Sequence, residues 1–178
     1  LAVDLETYAT RAIADVDPAM PPSLLKSRAG PTADGKYLVA QLMEDLPQEQ
    51  ASVSYAYSRF SEYYEKRPLS QIVRIEIDTG KQDVIHEDRR YLGHVNASPT
   101  LPDLLTFCHE GPWNLVEQRI WGLDIQTSET WKIRPQDDDN YAVGHEYWFA
   151  DGQRIGYHGR PRDGQGNHIF GYVRWDNS

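Results

Sequence analysis

The sequence has one cysteine, two methionines and four phenylalanines in 178 residues. With Cys108 alone no internal disulfide can form, and a lone thiol fits a reducing compartment, so a cytoplasmic location is expected. Long apolar runs are missing as well. The longest span a few residues, as at Ile155-Gly156-Tyr157, far below the roughly 18 that a membrane-spanning helix needs. No basic-then-apolar start of the signal-peptide kind is visible. Positive charge is scarce: 18 Lys and Arg face 27 Asp and Glu, a net charge of −9. That balance argues against a nucleic-acid partner, and the short apolar runs against a membrane one. The same charge repels acidic ligands at long range, so any anion site must rest on local Arg or His. No Gly-x-Ser-x-Gly nucleophile elbow occurs, which weakens a hydrolase reading. What remains, 39% hydrophobic and 25% charged residues, is the composition of one globular domain able to bury a core.

Two kinds of segment recur. One is a turn leading into a short strand, seen at Gly30 to Val39, at Asn96 to Phe107 and at Trp148 to Tyr157. Two of its copies carry Asp-Gly, which favours a tight turn because Gly takes positive φ without steric cost. The other is an alternating strand, a polar turn and a second strand: Ile72 to Ile77 with Val84-Ile85, then Arg119 to Leu123 with Thr130 to Ile133. Period-two alternation of β-branched and aromatic residues indicates half-buried strands. Asp78 and Asp124 stand 46 residues apart, and Asp103 and Asp151 stand 48 apart. Four strands in roughly 40 to 50 residues is the period of a β-propeller blade.

The expected fold is therefore all-β: one partial propeller domain over residues 1–178. It comprises the tail of one blade, two full blades (27–88 and 93–136) and most of a third from Gly144. Three blades cannot close a propeller without long unpaired edges, and the sequence opens on Leu1 rather than Met, so a fragment is expected. The interval from Asp4 to Asp78 exceeds the regular repeat by 28 residues. That surplus places an insertion at about 41–68, rich in Tyr and Phe, expected to be partly helical and to cover one face or edge.

Histidine is the informative residue type. Gly93-His94 and Gly144-His145 open the inner region of successive repeats, where a blade lines the central channel. There an imidazole can act as a base, a ligand or a hydrogen-bonding partner for a carboxylate, or simply join two blades. His109-Glu110-Gly111-Pro112-Trp113 ends a strand with a Gly-Pro break that can aim polar groups into a cavity. Arg119 follows ten residues later; a partly buried Arg needs a carboxylate, either from a ligand or from Glu110, Glu117 or Asp124.

The runs His94 to Pro99, Phe107 to Trp113, Val116 to Trp121 and Gly144 to Trp148 with Asp151-Gly152 resemble the oligogalacturonate lyase family, polysaccharide lyase family 22. The resemblance is densest from Tyr91 to Gly159. It implies a seven-bladed β-propeller, of which this chain is about three blades. It also implies metal-assisted β-elimination of short galacturonate oligomers in pectin catabolism. By the same resemblance His145 is the catalytic base and Arg119 the catalytic arginine. His109, His94 and His158 are candidate substrate-binding residues. The family metal is Mn²⁺, and its three His and one Gln are implied to lie outside this chain, so no metal ligand is assigned here.

The chemistry makes independent sense of that pair. β-Elimination removes a proton α to a uronate carboxylate, a very weak carbon acid, and charge builds on the carboxylate as it leaves. A neutral imidazole near its titration range can take the proton. A bidentate guanidinium can hold the carboxylate. Glu146 is a candidate to orient His145 if the two side chains share a face. The competing reading is a non-catalytic propeller that binds or scaffolds.

Overall fold

The structure is a computed structural model that describes residues 2–14, 29–44, 46, 58–137 and 140–178. The strands are β1 (Ala2–Val3), β2 (Thr10–Arg11), β3 (Ala29–Pro31), β4 (Tyr37–Met43), β5 (Leu69–Glu76), β6 (Gln82–Arg89), β7 (Leu92–Ala97), β8 (Leu104–His109), β9 (Ile120–Asp124), β10 (Thr130–Lys132), β11 (Tyr141–Trp148), β12 (Arg154–Pro161) and β13 (Ile169–Arg174). Among the described residues there is one helix, α1 (Ser58–Lys66), between β4 and β5. All strand pairings are antiparallel and sequential: β1-β2, β3-β4-β5-β6, β7-β8-β9-β10 and β11-β12-β13. These sheets are successive blades of a β-propeller; β7 and β11 start 49 residues apart, as do β9 and β13.

The recurring Asp has a physical job at the blade turns. Asp124 Oδ1 accepts hydrogen bonds from the backbone N–H of Gln126 and Thr127, both at 2.8 Å. Asp4 does the same with Glu6 and Thr7, and Asp151 with Gln153 and Arg154. Each carboxylate replaces a backbone acceptor, which is why Asp marks the turn.

Blades pack face to face. Val39, Ile72, Leu105, Phe107 and Leu123 fill the joint between the first full blade and the second; Ile120, Ile133, Val143 and Ile155 fill the next. β8 is buried along almost its whole length, as a strand covered on both faces must be. Side chains also reach across the joints: Arg74 Nη1 donates to Ile125 O at 2.7 Å, and Trp148 Nε1 to Asn96 O at 3.0 Å.

Within the span 41–68, Gln41 to Met43 still belong to β4 and pair with Ile72 to Ser70 of β5. Glu44 N also donates to Leu69 O at 2.8 Å, so the blade pairing runs through Glu44. Tyr55 and Tyr57 lie outside the described residues. Helix α1 brings Phe60 and Tyr63 onto Tyr91, with ring centroids 5.6 and 5.2 Å apart. Its Tyr64 donates a hydrogen bond to Leu115 O at 3.0 Å, so the helix sits over the loop that follows β8. Among the described residues no helix is long and apolar enough to cross a membrane.

Candidate active site

Two backbone irregularities organise the inner strands. Gly93 pairs with Cys108 and Asn96 with Thr106, so His94 and Val95 together face Phe107. Gly144 pairs with His158 and Tyr147 with Gly156, so His145 and Glu146 together face Tyr157. Both are β-bulges, and both place the histidine in the left-handed region, at φ 50° for His94 and 54° for His145. That conformation is uncommon and costly for a residue with a Cβ. Its recurrence at the same position of two blades marks a built feature of the inner wall.

The glycines before them make room. A Cβ on Gly93 would come within 2.6 Å of Glu110 Cγ, and one on Gly144 within 2.6 Å of Trp113 Cζ2. No side chain fits either place without moving its neighbour.

Arg119 lies at the joint of the β7-β10 and β11-β13 sheets with its side chain only 5% exposed. Its Nη1 and Nη2 donate to the two oxygens of Glu110 at 3.0 and 3.3 Å, and its Nε to Glu146 Oε2 at 3.1 Å. His94 closes the ring: Nε2 is 3.1 Å from Glu110 Oε1, and Nδ1 is 3.1 Å from Glu146 Oε1. Both contacts pair the imidazole with a buried carboxylate. The two carboxylates raise His94 to a pKa of about 9. Burial works to raise both glutamates, but His94 and Arg119 outweigh it and hold Glu146 at about 2. Two cations and two anions therefore balance in a buried ring.

His145 turns the other way. It is exposed, whereas its bulge partner Glu146 is buried in the ring, so the two do not share a face. The His145 ring stacks on His158 with centroids 5.4 Å apart and planes 9° apart, and their Nδ1 atoms are 3.3 Å apart. His158 Nε2 is 3.1 Å from His168 Nδ1. Trp113 packs against both His145 and His158, at 5.5 and 5.4 Å between centroids. Burial and the neighbouring His145, His168 and Arg160 lower the pKa of His158.

His109 is elsewhere. It packs against Trp121 and Phe107, and burial, with Arg90 and His86 nearby, drives its pKa to about 3. Its 3.8 Å approach to Asp88 is too long for a hydrogen bond, and a neutral ring forms no ion pair. The expected substrate-binding set is thus divided. His94 is in the ionic ring and also lines a cavity of about 350 Å³ with β3 residues; His158 is beside His145; His109 is in a joint. His168, Trp113 and Arg160 were not legible as site residues, although the alternation His158-x-Arg160-x-Arg162 puts three basic groups at every second position.

A family model for oligogalacturonate lyase matches residues 39–171. The chain belongs to the oligogalacturonate lyase family. An oligogalacturonide lyase of Pectobacterium atrosepticum is 27% identical over 113 residues, which is 64% of this chain and 29% of that protein. Among solved structures, an oligogalacturonate lyase in complex with manganese superposes with TM-score 0.81 at 23% identity, covering 98% of this chain and 44% of that one. An oligogalacturonate lyase of Vibrio parahaemolyticus gives TM-score 0.79 at 28% identity, covering 94% and 42%. The chain thus spans under half the length of these relatives.

The described residues do not suit Mn²⁺. His94, Cys108 and Glu110 bring ligand atoms within 4.8 Å of one another. However, a buried guanidinium already neutralises that carboxylate, and burial keeps the Cys108 thiol protonated. His158 spends one nitrogen on each neighbour, so the three imidazoles form a chain rather than converge on a point.

Proposed function

We propose that this chain supplies the base of an oligogalacturonate lyase, acting by β-elimination on short galacturonate oligomers in the cytoplasm. The observation that supports it most is His145. In a chain of this family it presents an exposed imidazole from an inner-strand bulge, with its Nδ1 directed at His158. If His145 Nδ1–H donates to His158, and His158 Nε2–H donates to His168, the lone pair is left on His145 Nε2. That nitrogen takes the proton α to the uronate carboxylate. The C–H pair becomes the new C=C bond, the β C–O bond breaks, and the departing oxygen leaves with a proton returned by the imidazolium or by water. The charge on the imidazolium is shared along the histidine chain.

For Arg119 we infer a positioning role instead of contact with substrate, because Glu110 and Glu146 already occupy three of its nitrogens. Through Glu146 it fixes the bulge that carries His145. Manganese, present in the solved relative, is assigned to the whole protein, with ligands outside this chain.

The test is turnover of digalacturonate by the full-length protein, read as formation of an unsaturated, ultraviolet-absorbing product. Activity that is lost on substituting His145 supports the reading. Absence of turnover on every oligogalacturonate overturns it.

A further inference from the structure

Beside the histidine chain is a cleft of about 430 Å³, with Arg160, Arg162, Asp163, His168 and Asn114 in its wall. It adjoins the proposed base across one side chain, because Trp113 touches His145 and His158 and also carries Arg160, whose Cζ is 4.7 Å from the indole centroid.

The cations of this cleft differ in how far they are committed. Arg162 points its guanidinium at the carbonyls of Trp113, Asn114 and Glu117, at 3.3 to 3.4 Å. It is an anchor for the loop that holds Trp113. Asp163 accepts from Gln165 N and from Asn140 Nδ2, and turns with the loop. Arg160 is exposed, and among the described residues no carboxylate pairs with it. Its aromatic support fixes the plane of the guanidinium while leaving its outer N–H groups to solvent. In a chain of net charge −9, a supported and unpaired guanidinium next to a histidine is a local reversal of the field, as an anion site there requires.

Resting on the lyase reading, we infer that Arg160, with His168 beside it, is a carboxylate receptor that fixes the uronate residue adjoining the scissile bond. The planar fork matches a carboxylate with two parallel hydrogen bonds. Neutral sugars have no carboxylate and methyl esters carry no charge on theirs, so both lose that grip. The cleft thereby sets specificity for the free acid at that position, while His145 performs the proton transfer.

Titration calorimetry on the full-length protein tests this with digalacturonate and with its dimethyl ester, comparing Arg160 with Arg160→Gln, both in a His145→Asn background that scarcely consumes the ligand. Arg160 is exposed, so the variant is expected to melt with wild type, and a melting curve checks it. Arg160→Gln should weaken digalacturonate binding about 10- to 100-fold, the range of a lost charge-assisted pair, and should leave binding of the diester unchanged. In turnover, with His145 in place, KM should rise while kcat stays within a few-fold. Equal binding of digalacturonate by both proteins, or no binding by either, overturns the receptor. The lyase reading is judged separately, by whether wild type forms unsaturated product at all.

Discussion

Arg119 and Glu146, 27 residues apart, meet at 3.1 Å across the joint of two blades. Glu146 is the residue after His145, so the ion pair is also the backing of the bulge that presents the imidazole. Removing one partner of a buried pair leaves the other charged and unpaired, which costs about 3–5 kcal/mol. Arg119→Gln should therefore lower Tm by on the order of 10 °C. Assayed well below that Tm, it should lower kcat with KM little changed. A raised KM at constant kcat would return Arg119 to direct contact with substrate.

The ring also makes the joint pH-sensitive. His94 has a folded pKa of about 9 against an ordinary 6.5. Its contribution is complete below about pH 6.5 and is lost as pH rises through 9. Glu146, at about 2 against 4.5, contributes fully above 4.5 and is lost as pH falls through 2. Both contribute fully between about 4.5 and 6.5. The stability gap between wild type and His94→Gln should be widest there and close between 6.5 and 9. The imidazole is one-third exposed, so solvent screening reduces the gap. A gap that stays constant from pH 5 to 10 would show that His94 acts through packing alone.

His109 has the opposite sign. Its folded pKa of about 3 lies below the ordinary 6.5, so the unfolded chain binds a proton that the folded chain refuses. Its contribution is complete above pH 6.5 and is lost as pH falls from 6.5 towards 3, with a slope of up to about 1.4 kcal/mol per pH unit. His109→Phe keeps an aromatic ring against Trp121 and removes the titration. Its Tm should fall less than that of wild type between pH 6.5 and 5, a window above the one in which Glu146 titrates. Parallel curves in that window would refute a buried neutral His109.

Blade architecture was legible because it is repetitive and local: Asp-bearing turns and period-two strands recur at a spacing that any copy confirms. The pairing of Arg119 with Glu110 could be weighed from sequence because they are nine residues apart. The second carboxylate could not, because Glu146 reaches Arg119 only after two blades pack. The bulges were hidden for a different reason. Gly-His marks an inner strand, but nothing in those two letters says that the histidine takes a positive φ or that the next residue turns inward. One extra residue in a strand moves every later side chain to the other face. For that reason the face of Glu146 relative to His145 was open until the register was known. His168 joins the histidine chain from the loop before β13, a placement set by tertiary packing.

Gly144 offers a test of the wall itself. A Cβ there meets Trp113 Cζ2 at 2.6 Å and Cη2 at 2.8 Å, and Arg119 Nε at 3.3 Å. The indole ring cannot yield without losing its contacts with His145, His158 and Arg160. Gly144→Ala should cost about 1–3 kcal/mol through overpacking, shift the Trp emission and reduce kcat/KM. Gly156→Ala on the same blade, where a Cβ meets only the tip of the exposed Tyr147, should cost less stability and have less effect on kcat/KM. Equal losses of kcat/KM in the two variants would mean that Trp113 has no part in the site.

The base is tested most cleanly by a substitution that respects its backbone. His145 sits at φ 54°, where Ala is strained and Asn is among the better tolerated residues. His145→Ala would confound loss of the imidazole with strain in the bulge. His145→Asn keeps a small polar side chain compatible with that conformation and removes the basic nitrogen. Because His145 is exposed and outside the ionic ring, Tm should change little. Turnover of digalacturonate by the full-length protein should fall about 10²–10⁴-fold, mostly in kcat. His158→Asn should keep the imidazole of His145 but no longer hold its proton on Nδ1, so that Nε2 carries the lone pair only part of the time, giving a smaller loss and an altered pH dependence of kcat/KM. If His145→Asn keeps near-wild-type turnover, the base is another residue and the histidine chain is structural. If His158→Asn is as damaging as His145→Asn at matched Tm, the proton is taken by the pair as a unit and not by His145 Nε2 alone.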